Sequence, residues 1–231
     1  MGDELLQRMT PDAWRGLVAA RGETLADRLV ADVLRRFELL PRGLDPAEVT
    51  ASVHHGDHAV HGDFTPSTLV SLIDGNLSVR GKVSTEEVGG MDGNATLIVF
   101  GDLRCGRLVN DWASLLIVTG SLIVDEWVFA AREDSSLVVG GDFHTPIFIG
   151  GDIWASVGGS AVIEYGYGHA IDLASLEDAS TASPTHPRRG WRELVRKLDL
   201  SREQVLQEDD LIRTLEERLY ATGSILRPAQ V

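Results

Sequence analysis

Between residues 60 and 153, apolar positions are set out around a recurring glycine. Gly62, Gly75, Gly101, Gly120, Gly141 and Gly151 mark the pattern. Two residues before each stands an aliphatic: Val60, Ile73, Val99, Val118, Val139 and Ile149. Two residues after each stands another apolar side chain: Phe64, Leu77, Leu103, Leu122, Phe143 and Ile153. The residue directly after the glycine is small and polar: Asp63, Asn76, Asp102, Ser121, Asp142 and Asp152. Side chains alternate along a strand, so positions at −2 and +2 share a face. The unit reads as strand, tight bend, strand, with one buried face. Glycine suits a positive φ in the bend, and Asp or Asn bonds to local backbone.

The steps between the inner four glycines are 26, 19 and 21 residues. A loose period near twenty, with aliphatics refilling the same slots (Leu97, Leu116 and Leu137 at −4; Cys105, Val124 and Thr145 at +4), predicts coils that stack into a parallel β-solenoid. An antiparallel barrel or sandwich is the rival. The predicted organisation is mainly β. An N-terminal helical cap spans 1–50, a β-solenoid of roughly 20-residue coils 51–174, a linker 175–190 and a C-terminal helical segment 191–231. Thr10-Pro11 is a helix start, with Ala13, Trp14, Leu17 and Val18 behind it. A second amphipathic helix is expected over Thr24–Leu39. Ser201 and Gln204 form a capping-box pair, and Gly223 ends the last helix. Glu86–Gly93 reads as a loop projecting from its coil.

Charge changes the picture. The chain of 231 residues has a formal net charge of −14. Residues 51–174 hold 16 acids and 5 bases, so most of the excess lies on the coils. Such a body repels nucleic acid and attracts a basic surface. Bend geometry accounts for Asp63, Asp102, Asp142 and Asp152 but not for Asp125, Glu126, Glu133 and Asp134. Those four are the candidate partner-binding acids. Trp127 beside them is read as an aromatic contact at that surface or as a packed corner. No apolar run reaches membrane-span length and no signal peptide is visible, so a cytoplasmic protein without membrane contact is expected. The single Cys105 lies in an apolar slot and reads as packing.

His54, His55, His58 and His61 form the one cluster with metal-ligating chemistry, a candidate for a divalent ion such as zinc or manganese. Strand periodicity divides them, placing His54 and His58 in core slots and His55 and His61 outside. A first coil with a partly polar core, or a pH-sensitive edge, is the competing reading. No nucleophile elbow, zincin helix, phosphate loop or dinucleotide fingerprint is present, so catalysis is not expected and no catalytic residue is assigned.

Leu97-Ile98-Val99-Phe100-Gly101-Asp102-Leu103-Arg104-Cys105 and Leu115–Val124 resemble coils of the bactofilin, or polymer-forming cytoskeletal, type of β-helix. They equally resemble β-solenoids that act as immunity proteins beside bacterial polymorphic toxins. The resemblance covers about 60–170. It implies a protein that neutralises a cognate toxin, a basic domain by charge, through an acidic solenoid surface. The alternative it implies is a self-assembling scaffold. A metal-binding or carbohydrate-active β-helix enzyme is the second alternative. Amphipathic helices at both ends, expected to cap the open coil edges, depart from the bactofilin pattern.

Overall fold

The computed structural model describes residues 7–23, 51–88, 91–92, 94–131, 135–151, 153–167, 189–201, 204–205 and 208–226. The Thr24–Leu39 helix, most of the 175–190 linker, Glu133, Asp134 and Asp152 lie outside these residues. The repeating slots close into six parallel coils. Each coil pairs a short strand with a second strand across a bend. The pairs are β2 (Ala51–His55) with β3 (His58–Val60), β4 (Val70–Asp74) with β5 (Leu77–Ser84), and β8 (Thr96–Val99) with β9 (Leu103–Val109). They continue as β10 (Leu115–Val118) with β11 (Leu122–Ala130), β12 (Ser135–Val139) with β13 (Phe143–Gly150), and β14 (Ile153–Val157) with β15 (Ala161–Tyr167). The first members stack as one sheet and the second members as another. All registers between coils are parallel, which excludes the antiparallel rival.

The core lies between the sheets. Ile73, Val99, Val118 and Val139 stack in register, as do Leu77, Leu103, Leu122 and Phe143 across the bend. All eight are at most 1% exposed. Full burial of such a side chain stabilises by about 1.5–3 kcal/mol. The first sheet is buried on both faces, which is why its strands read as unbroken apolar runs such as Thr96–Val99 and Leu115–Val118. The 26-residue step from Val70 to Thr96 accommodates a small hairpin, β6 (Glu87–Val88) paired with β7 (Met91–Asp92).

The bends form one column: Gly56-Asp57, Gly75-Asn76, Gly101-Asp102, Gly120-Ser121, Gly141-Asp142 and Gly159-Ser160. Each polar side chain before the last coil accepts the backbone N–H of its counterpart one coil on. Asn76 N–H donates to Asp57, Asp102 to Asn76, Ser121 to Asp102 and Ser160 to Asp142, each at 2.8 Å; Asp142 donates to Ser121 Oγ at 3.2 Å. Gly62 and Gly151, grouped with these by sequence, belong to other corners. Gly62 stacks under Gly81, and Gly151 N–H donates to Ala130. The glycine requirement also differs from expectation. Of the bend glycines only Gly56 has a positive φ, +86°. The later ones are needed because consecutive bends stack too closely for a Cβ: one on Gly120 would meet the Gly101 carbonyl carbon and oxygen at 2.8 Å.

The described helices pack on outer sheet faces, at the first and last coils. Thr10 caps α1 (Pro11–Gly22), its Oγ1 accepting Ala13 N–H at 3.3 Å. Trp14 and Val18 of α1 join Val53, Leu72, Ile98, Ile117 and Val138 on the outside of the first sheet. At the other end, α2 (Trp191–Lys197) and α3 (Glu208–Thr222) bring Leu194, Leu198, Leu211, Leu215 and Leu219 onto Val109, Trp127, Phe129, Ile147 and Ile149. A helix has no free backbone groups along its side to pair a strand edge; its apolar stripe matches an apolar sheet face. Edge pairing falls to extended segments. β1 (Gln7–Met9), in a stretch expected to be helical, pairs antiparallel with β2, and Arg189 bridges the outer edge of β15. The Ser201–Gln204 box forms reciprocally, at 2.9 and 3.2 Å, though α3 begins only at Glu208.

Gly120→Ala is expected to lower stability by about 2 kcal/mol or more, because backbone of the adjacent coil must move. Gly62→Ala, whose Cβ would meet nothing within 4 Å, is expected to change it by less than about 0.5 kcal/mol. Urea denaturation of the two variants checks the contrast.

Candidate functional site

The second sheet changes direction at irregularities in register between Val79 and Lys82, Val124 and Trp127, and Ile123 and Val128. Before this corner its strands alternate buried and exposed positions; beyond it the later strands run under α2 and α3. The first half therefore presents a flat outer face with no helix on it among the described residues. Ser78, Arg104, Ile123, His144 and Val162 form one row across it, with Arg80, Asp125 and Glu164 alongside.

Asp125 and Glu126 sit together at the corner because β11 carries an extra residue there, and both are exposed. Arg104 donates to Asp125 at 2.9 Å. Glu126 and Glu164 have no ion-pair partner among the described residues. The face is thus not uniformly acidic: Arg80 and Arg104 occupy the coils before β11, and acids dominate from β11 onward. Trp127 is corrected as a partner contact. It is 0% exposed, buried beneath the C-terminal helices, because its apolar surface matches their stripe. Glu133 and Asp134 lie outside the described residues.

The bend acids have a structural duty, as their position suggested. Hydrogen bonds from the Ser160 backbone and hydroxyl hold the Asp142 carboxyl below the usual carboxylate range. At the second corner Asp63 Oδ1 accepts Lys82 N–H at 2.7 Å. For Asp74, burial works toward a raised pKa, but hydrogen bonds from Arg21 and His55 outweigh it and hold the carboxyl low. The Arg21 contact, 2.6 Å to Oδ2, ties α1 to the first bends. Burial pushes the Cys105 thiol up, the opposite of activation.

The four histidines do not converge, and no group of three metal-ligating side chains forms among the described residues. His54 and His58 occupy the core slots of the first coil, in register with Ile73 and Leu77. Their rings lie 4.3 Å apart, and His58 also meets Phe64 edge-on at 5.9 Å. His55 is exposed and reaches Asp74 at 3.2 Å, while His61 is exposed in the bend after β3. A two-nitrogen stack inside a coil is not a metal cage.

A cleft that sequence reading missed opens where α3 ends against the second and third coils. Its volume is about 510 Å³, and Thr65, Lys82, Ser84, Glu86, Trp112 and Tyr220 line it. Trp112 and Ala113 both hold left-handed backbone, φ +58° and +55°, which non-glycine residues rarely adopt. The Glu86–Gly93 loop flagged from sequence begins at this cleft, but nothing local foretells that Tyr220 meets Glu86. No helix among the described residues is long and apolar enough to cross a membrane.

His58 sets a pH dependence. Burial, and then the neighbouring His54, lower its pKa from 6.5. The unfolded chain therefore binds more protons than the folded one once pH drops toward and below that value, so stability is full above it and falls on acidification. Denaturation midpoints are expected to fall between pH 7.5 and 5, and His58→Leu, which continues the Leu77–Leu103 row, to be more stable and less acid-sensitive. An unchanged pH slope in that variant would remove His58 as the cause. No family model, curated protein or solved structure matches this chain, so its function is argued from its own geometry.

Proposed function

We propose that this protein is a binding and neutralising protein, an immunity-type inhibitor that docks a basic toxin domain on the bare outer face of its second sheet. The carrying observation is that this face is left without core or helix against it among the described residues, and that its later coils display Asp125, Glu126 and Glu164. A rigid parallel sheet costs little to order on binding, and a block of like charge speeds encounter with an oppositely charged partner. The exposed Arg104–Asp125 pair is worth about 0–1 kcal/mol, so a partner's arginine exchanges for it at small cost. Inhibition by occlusion needs no catalytic residue.

The self-assembling scaffold is the weaker reading. Stacking of copies requires coil edges to meet, yet β1 already pairs β2 at one end and Arg189 bridges β15 at the other. The metal-dependent reading lacks a group of three metal-ligating side chains among the described residues.

Co-expression with products of neighbouring genes, followed by size-exclusion chromatography with light scattering, is expected to yield a discrete one-to-one complex with a basic protein. The double change Asp125→Arg, Glu126→Arg is expected to weaken that complex at least about tenfold with unchanged thermal stability. Large homopolymers, or full affinity in the variant, would overturn the assignment.

A further inference from the structure

The cleft at the end of α3 arises from a change along one outer face. Beyond the corner, the later coils present Trp127, Phe129, Ile147 and Ile149 outward, and helices cover them. The earlier coils present Thr65, Lys82 and Ser84 at the equivalent positions, and there the helical cover stops at Tyr220 and Gly223. What remains is a polar notch walled by two aromatic side chains.

Glu86 organises those walls. Its Oε1 accepts the Trp112 indole N–H at 3.3 Å and also the Tyr220 hydroxyl. Both donors are neutral, and burial followed by the Glu86 contact pushes the Tyr220 pKa up to about 12, so the phenol keeps its proton. The carboxylate charge is therefore not cancelled, and its Oε2 has no hydrogen-bond partner among the described residues. Tyr220 is also the large apolar side chain left exposed among them, at 60%. It is pinned in place through its hydroxyl while its ring stays open to solvent. On β5, before the chain bends at Glu86, the Lys82 ammonium lines the same cleft with no ion-pair partner among the described residues. The Thr65 and Ser84 hydroxyls line it as well.

We infer that this cleft binds a small organic zwitterion, with its ammonium group against Glu86, Trp112 and Tyr220 and its phosphate or carboxylate toward Lys82. An alkylated ammonium gains charge pairing from Glu86 and apolar contact of its alkyl groups with the exposed Tyr220 side chain, a combination that an inorganic cation cannot use. The −14 charge of the chain raises the local concentration of cations, and Lys82 restricts the choice to those that also carry an anionic group. The left-handed backbone at Trp112 and Ala113 holds the indole where Glu86 can reach it, the kind of local strain found at binding sites. This site does not include the bare sheet face, so its test is independent of the partner-binding reading.

The test is calorimetric titration of the full chain with phosphocholine, glycine betaine and choline. Both zwitterions are expected to bind, with choline weaker by about tenfold. Glu86→Gln and Tyr220→Ala are each expected to weaken phosphocholine at least about tenfold, and Lys82→Met to bring phosphocholine down to the level of choline. Tyr220 is largely exposed, so Tyr220→Ala keeps the fold even if Glu86→Gln does not. Absence of binding by both zwitterions, or equal affinity in Tyr220→Ala and Lys82→Met, overturns the assignment.

Discussion

The column of hydrogen bonds through the bends is the constraint on which the solenoid rests. In the inner coils each polar bend residue accepts a backbone N–H from the following coil, and its own backbone carbonyl accepts from the coil before, as in Leu77 N–H to Asp102 and Leu122 N–H to Asp142. Each such bond contributes only about 1 kcal/mol net, but leaving buried backbone unpaired costs more. The column fixes where every coil turns, and with it which residues of adjacent coils face each other. A shift of one residue would turn the Val99–Val118 row out of the core. The order Asp57, Asn76, Asp102, Ser121, Asp142, Ser160 separates the charges. Neighbouring coils lie about 4.8 Å apart, so carboxylates on every second coil stand near 10 Å, about the screening length at moderate salt.

With the inner core fixed by that column, the outer faces are free to differ, and their chemistry decides what covers them. Val53, Leu72, Ile98 and Ile117 make an apolar face that takes α1; Trp127, Phe129, Ile147 and Ile149 make another that takes α2 and α3. Ser78, Arg104, Asp125 and His144 make a face that no helix of the described chain covers. The extra residue at Asp125-Glu126 stands where the sheet passes from that bare face to a covered one, which is why two acids precede a fully buried tryptophan. The same logic produces the cleft: the face under α3 turns polar at Lys82 and Ser84, and the helix ends there.

Much of the fold was legible because a solenoid writes its core into local spacing. The −2, +2, −4 and +4 positions around Gly101, Gly120 and Gly141 predicted the inner rows, and the alternation around Gly56 placed His54 and His58 inside and His55 and His61 outside. The Thr10 cap and the Ser201–Gln204 pair were equally local. Sequence misgrouped Gly62 and Gly151, because a glycine before an acid looks the same at any corner. It missed β1, because pairing with a free strand edge overrode helical patterning in Gln7–Met9.

What the sequence determined by itself was the period, the buried face of each strand and the excess of acid over base on the coils, since these follow from side-chain alternation and composition. What only tertiary structure decided was the fate of outward-facing residues. Trp127 and Ile123 both point away from the core, yet one is sealed under a helix and the other lies on the bare face, because helices distant in sequence choose which face to cover. The meeting of Glu86 with Tyr220, 134 residues apart, has the same origin: no local spacing encodes where a terminal helix stops along a stack of coils.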